Sequence, residues 1–115
     1  MALKVIREMV DSMGDSERVV INGGEILIEG GFPPGLSPDD SKIRAKRLYD
    51  VLNCETFGCM PLRKDLLKGL DLWYNDDESL DRNDESLNEI ATTLLGDQMF
   101  GGKLHGPVLL ARMEA

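Results

Sequence analysis

The sequence predicts an α+β domain, a small mixed or antiparallel sheet with two main helices packed on one face. Three observations predict it. Two β-rich runs flank Asn22-Gly23-Gly24, as a tight hairpin requires. Ala45, Leu48, Tyr49 and Leu52 recur at i, i+3, i+4 and i+7, the period of an amphipathic helix. Further on, "LDLWY" alternates like a strand, and "LNEIATTLLG" returns to helical spacing. A chain of 115 residues holds one core, so residues 1–115 are read as a single domain. The alternative kept open is a separate N-terminal helix at 1–14.

The elements follow in order. Leu3, Ile6, Met9, Val10 and Met13 fall at helical spacing, with a strand start in "LKVIREMV" as the alternative, and Gly14 and Asp15 end the run. The hairpin pairs Arg18–Ile21 with Glu25–Glu29, which sets Ile26 and Ile28 on one side and Glu25, Leu27 and Glu29 on the other. "GGFPPGLSPDD" is a loop that becomes a helix start. Ser37 caps it, Pro38 suits the first turn, and Asp39 and Asp40 favour the positive end of the helix dipole. Ile43 and Val51 widen the apolar stripe of that helix, which runs to Asn53. Lys42, Arg44, Lys46 and Arg47 lie mostly off the stripe and give the helix a basic outer surface. "CETFGCMPL" reads as a short strand, with Pro61 marking an edge or an end. "LRKDLLKG" is one helical turn stopped by Gly69. In "LDLWY", Leu70, Leu72 and Tyr74 face one way and Asp71 and Trp73 the other. A helix from about Asp84 or Ser86 to Leu95, closed by Gly96, and an apolar strand in "GPVLLARM" complete the domain.

Charge narrows the function classes. The net charge is −8, which argues against binding nucleic acid by counterion release. The charge is uneven: residues 42–68 carry seven bases and three acids, and residues 69–89 carry eight acids and only Arg82. The basic middle suits a small anionic ligand or an acidic partner. Lys42, Lys46, Asn88 and His105 are the candidate ligand-binding residues. There is no apolar run of membrane-spanning length, and "MALKVIREMVDSMG" is interrupted by Lys4, Arg7 and Glu8. The expectation is a soluble, cytoplasmic protein with no membrane partner.

Cys54 and Cys59 lack the spacing of a redox or zinc pair, and His105 is the single histidine. The cysteines are expected to be small buried thiols. Neither has an evident base, and no acid pair stands out, so the chain is not read as an enzyme and no cofactor or metal is assigned.

Asp-Glu-Ser-Leu occurs twice, at Asp77–Leu80 and Asp84–Leu87. A calcium loop needs Gly at its sixth position and Glu at its twelfth. Counted from Asp77 those positions hold Arg82 and Asn88, and from Asn75 they hold Leu80 and Ser86. The repeat is therefore read as the solvated start of a helix. The second reading is an acidic protein-interaction surface of Asp76, Asp77, Glu78, Asp81, Asp84 and Glu85.

The order of elements over roughly residues 40–112 resembles the DUF3846 family of small domains. The resemblance is carried by Asp77-Glu78, by Leu87, Asn88, Ala91, Leu94 and Gly96 in "LNEIATTLLG", and by Gly106 with "VLLA". Those domains are of unknown function and common in phages and mobile elements. The resemblance implies a viral or mobile-element origin and no particular activity. The functional expectation is a small acidic binding or regulatory module that engages another protein, a host protein if the chain is viral. Two alternatives stand beside it. One is a nucleotide-binding domain using the basic helix and Asn88. The other is a homo-oligomer subunit pairing through "CETFGCMPL" or the C-terminal strand.

Overall fold

A computed structural model describes residues 2–96, 98 and 103–112. Its elements are α1 (Ala2–Ser12), β1 (Arg18–Asn22), β2 (Glu25–Glu29), α2 (Pro38–Leu52), β3 (Phe57–Pro61), a 3₁₀ turn (Asp65–Leu67), β4 (Leu70–Asn75), α3 (Glu89–Leu95) and β5 (Val108–Arg112). The five strands form one sheet in the order β2-β1-β5-β4-β3, antiparallel throughout. The α+β class and the antiparallel sheet are as expected.

The helices do not all share a face. Along β1, Val19 and Ile21 pack with α1 and α3, while Val20 packs with α2. Along β5, Val108 and Leu110 face α1 and α3, and Leu109 faces α2. Successive strand residues point to opposite faces, so the sheet lies between two helical layers. Two helices do share a face, but they are α1 and α3. The helix that the apolar stripe predicted, α2, lies alone on the other. The uninterrupted runs Val19-Val20-Ile21 and Val108-Leu109-Leu110, all buried, are the mark of central strands covered on both sides.

The α1/α3 face holds the larger core. Ile6, Val10 and Met13 of α1 and Ala91, Leu94 and Leu95 of α3 close over Leu70, Leu72, Val108 and Leu110. The first helix, α1, thus packs into the same core as the sheet. Arg112 ends β5 and donates to the carbonyls of Val10 and Met13, both at 3.2 Å. It thereby joins the last described strand to the C-terminus of the first helix, where a cation suits the dipole.

Local chemistry explains the boundaries. The β1–β2 turn is Gly23-Gly24, and only Gly23 takes a positive φ, +60°. That is the pattern of a type II′ turn, in which glycine comes first. Ser37 caps α2 by accepting from Asp40 N. Asn53 ends that helix in the left-handed region, φ 51°. Pro61 closes β3, which is an edge strand as expected. Ile43 is 52% exposed and does not join the stripe of α2. The expected start of the last helix is corrected too. Asn88 caps it, so Asp84 and Glu85 lie in the preceding turn and not in its first turn.

Candidate functional site

One face of the sheet is left half open. A single helix, α2, spans it, and a groove of about 510 Å³ lies along the N-terminal half of that helix. Leu109 and Ala111 of β5 and Asp71 and Trp73 of β4 form its floor; Ser41, Arg44, Ala45 and Leu48 of α2 form a wall. Phe57 closes one end, its ring set edge-on to Trp73 with centroids 5.3 Å apart. Tyr49 leans on Phe57 from the helix, with centroids 5.0 Å apart.

The cations around the groove hold the loop that leads into α2. Arg44 donates to the carbonyls of Pro33 and Gly35 and to Ser41 Oγ. Arg47 donates to Gly30 O at 2.9 Å and pairs with Glu29 at 3.0 Å. The guanidinium groups of Arg18 and Arg47 stand 5.3 and 5.9 Å from the Phe32 ring centre. Such contacts stabilise by about 0.5–1 kcal/mol each when exposed. They fix the rim of the groove before anything binds.

Asp71 differs from those residues. It is half-buried, and among the described residues no hydrogen bond or ion pair reaches its carboxylate. Burial pushes its carboxyl above the ordinary carboxylate range. Cys59 lies on the same face, opposite Trp73 in the β3–β4 register. Burial and then the charge of Asp71 push its thiol up to about 11. Cys59 is nevertheless exposed, which corrects the expectation of a buried thiol; Cys54 is half-buried.

The four expected ligand-binding residues do not converge. Lys42 and Lys46 are exposed on the outer side of α2. Asn88 is 1% exposed and belongs to the opposite helical layer. Its Oδ1 accepts from Ala91 N, and its Nδ2 donates to Ile21 O at 3.0 Å and Gly106 O at 2.9 Å. The amide is fully used in joining α3 to β1 and β5. His105 is half-buried, with Nδ1 3.0 Å from Ser86 Oγ.

The two acidic copies do different work. Asp77, half-buried, accepts from Glu55 N, Thr56 N and Thr56 Oγ1, and so latches the entry to β3. Those hydrogen bonds, the one from Glu55 N foremost, hold its carboxyl below the ordinary range. In the second copy the serine does the work. Ser86 exchanges hydrogen bonds with Asn83 and reaches Asp81 O and His105. Asp76, Glu78, Asp81, Asp84 and Glu85 are exposed. Among the described residues no three His, Cys, Asp or Glu side chains come together as a metal-binding group. No helix among them is long and apolar enough to cross a membrane.

Arg44, Phe57 and Trp73 escape sequence reasoning as site residues, and Asp71 is reached only with Glu55 and Glu78 as an acid with no evident pair. The signal for two of them was present: the alternation of "LDLWY" sends Asp71 and Trp73 to the same face, away from the leucines. Comparison with protein families, with curated proteins and with solved structures finds no match for this chain.

Proposed function

We propose that this protein is a small binding or regulatory module, and that it engages a partner protein through the groove beside α2. One observation carries the reading. A five-stranded sheet has two helices over one face and a single helix over the other. Among the described residues, the uncovered corner exposes an aromatic floor and the Asp71 carboxylate, which no ion pair reaches. Sites of this kind, concave and largely apolar with a few polar groups, are where proteins take ligands or anchor side chains. Binding rather than turnover is favoured because the thiol beside the groove stays protonated near neutral pH and the one histidine is engaged with Ser86. The likeness of residues 40–112 to the DUF3846 domains makes a host protein the first partner to seek.

A second reading has its own support. The rings of Trp73 and Phe57 beside the Arg44 guanidinium suit a planar anionic ligand such as a nucleotide. This moves nucleotide binding from Lys42, Lys46 and Asn88 to the groove.

Trp73 is the only tryptophan of the chain, so its emission reports on the groove directly. Titration with adenosine and guanosine monophosphates tests the nucleotide reading. A photo-crosslinking residue at Ser41, on the rim, tests the protein reading in the source cell. One discrete protein adduct, lost when Ala111→Phe fills the groove, supports a partner protein. A saturable change in Trp73 emission with a nucleotide supports the second reading. Neither signal would sink the groove as a binding site.

A further inference from the structure

The two edges of the sheet are finished differently. Edge strand β3 is guarded at both ends. Asp77 takes the N–H groups of Glu55 and Thr56 at its start. At its end Pro61 has no N–H to offer, and Gln98 acts as a side-chain substitute for a neighbouring strand. Gln98 Oε1 accepts from Arg63 N at 2.8 Å, and Nε2 donates to Pro61 O at 2.7 Å. Proline and covering groups are the usual protections of an exposed edge.

Between those guards, among the described residues, no hydrogen bond reaches the outward groups of Phe57 and Cys59, and the opposite edge, β2, is likewise open along its middle. Its two-residue turn closes on the Asn22–Glu25 pair. Hydrogen-bonded pairs alternate in an antiparallel ladder, so Val20–Leu27 and Arg18–Glu29 are the next bonded pairs. The N–H and C=O groups of Ile26 and Ile28 therefore point away from β1. Among the described residues no hydrogen bond reaches them from that side; the first covered group is Gly30 O, taken by Arg47. The edge is also apolar on both faces, with Leu27 46% and Ile28 39% exposed.

We infer that β2 is a docking edge for an extended basic segment of another protein, which adds to the sheet as a sixth strand. Backbone pairing to Ile26 and Ile28 holds the segment, and its alternate side chains cover Leu27 and Ile28 on the two faces. Charge selects it. Glu25 and Glu29 flank Leu27 on the α2 face; Glu29 is held by Arg47, whereas among the described residues no ion pair reaches Glu25, and residues 1–41 carry three bases against eight acids. Lysine or arginine on that face of the incoming strand meets Glu25, while apolar residues meet Ile26 and Ile28. A second copy of this chain is the poorer occupant. It brings another net charge of −8, and two five-residue strands bury less than the roughly 1,000 Å² expected of a stable dimer. This edge is distinct from the groove, so either can fail without the other.

The test is amide hydrogen exchange of the ¹⁵N-labelled full chain, with and without a short acetylated peptide of alternating lysine and valine. Its counterpart of alternating glutamate and valine is the control. At ten times its dissociation constant, the lysine peptide should slow exchange at Ile26 and Ile28 by about tenfold. The glutamate peptide should not. Ile28→Pro removes an outward N–H that takes no part in the ladder, and it should abolish the effect. Glu25→Lys keeps the edge and should weaken the lysine peptide. Unchanged exchange at Ile26 and Ile28, with or without peptide binding elsewhere, overturns the inference. So does protection without peptide at a doubled mass, which would make a second copy the occupant.

Discussion

Leu72 and Trp73 are neighbours in β4, yet they belong to two different proteins in energetic terms. Leu72 points into the α1/α3 face and is fully buried; Trp73 points to the α2 face and is half-exposed. The first face is closed by α1, α3 and the 3₁₀ turn, and its central side chains are almost entirely out of water. The second is closed by α2 over β1 and Leu109 of β5 and left open over Ala111 of β5 and over β4. One sheet thus separates the two tasks. The closed face supplies cohesion, and the half-open face supplies a surface on which a partner can act.

The largest expected effect tests this division within one strand. Leu72→Ala deletes side-chain volume from the closed core, where surrounding helices cannot fully collapse, and should cost about 2–5 kcal/mol. Trp73→Phe trims a ring that already borders solvent and should cost below about 1.5 kcal/mol. Urea midpoints of the two variants measure the difference. Equal losses would mean that the groove is part of the core and the comparison is mistaken.

Next in size is Asn88. Alanine there removes a helix cap, typically about 1 kcal/mol. It also leaves Gly106 O without its amide donor, at a penalty of about 1–3 kcal/mol, while Ile21 O keeps its pairing with Val108 in the ladder. Asn88→Ala should therefore destabilise by about 2–4 kcal/mol. Asn88→Asp should do no better, since a carboxylate restores the cap acceptor but gives neither carbonyl an N–H. Calorimetric melting of both variants checks this. An aspartate variant as stable as the parent would show that the cap alone matters.

Much of the fold could be read because its elements announce themselves locally. The Asn22-Gly23-Gly24 turn, the Ser37-Pro38 helix start and the alternation of "LDLWY" each act over a few residues. The division of helices between faces could not be read that way. It depends on which strands become central, and β5 joins β1 only after nearly ninety residues, the register pairing Ile21 with Val108. The C-terminal strand therefore lies inside the sheet, although the sequence suggested an edge able to pair with another copy. The role of Asn88 is hidden from the sequence for a related reason. An asparagine before "EIATTLL" is an obvious cap, but its two further partners sit 67 and 18 residues away. The acidic repeat misled in a third way, since identical tetrapeptides settle by different residues, Asp77 in one copy and Ser86 in the other.

A smaller contrast comes from adding volume to each face. A Cβ on Gly58 would fall 2.3 Å from Tyr74 Cζ, because the ring lies across that glycine on the closed side. Gly58→Ala should cost about 1–3 kcal/mol as the ring is displaced. Ala111→Leu adds more atoms but projects them into the groove, and should change stability by no more than about 0.5 kcal/mol. Thermal melts of the pair sharpen the comparison. A strongly destabilised Ala111→Leu would show that the groove closes in solution.

The smallest effects should appear with pH, and they should carry opposite signs. Asp71, on the open face, has its carboxyl raised by burial, and among the described residues no ion pair reaches it. The folded chain then holds that proton more tightly than the unfolded chain, so stability falls as pH rises from the ordinary carboxylate value, about 4, through the raised folded value. Asp71→Asn removes this loss and should raise stability at pH 7. Asp77 has its carboxyl lowered by the N–H groups of Glu55 and Thr56 and the Thr56 hydroxyl. Its contribution is complete above the ordinary value and is lost as pH falls through the lowered folded value. Asp77→Asn should therefore reduce stability at pH 7, with a deficit that shrinks on acidification. Urea titrations of both variants at pH 7 and pH 3 measure the two signs. Two losses at pH 7 would assign Asp71 a native partner and remove the unneutralised carboxylate from the groove. A gain beside a loss would leave the open face with a charge that the fold itself does not balance, which is the condition a cationic partner group can relieve.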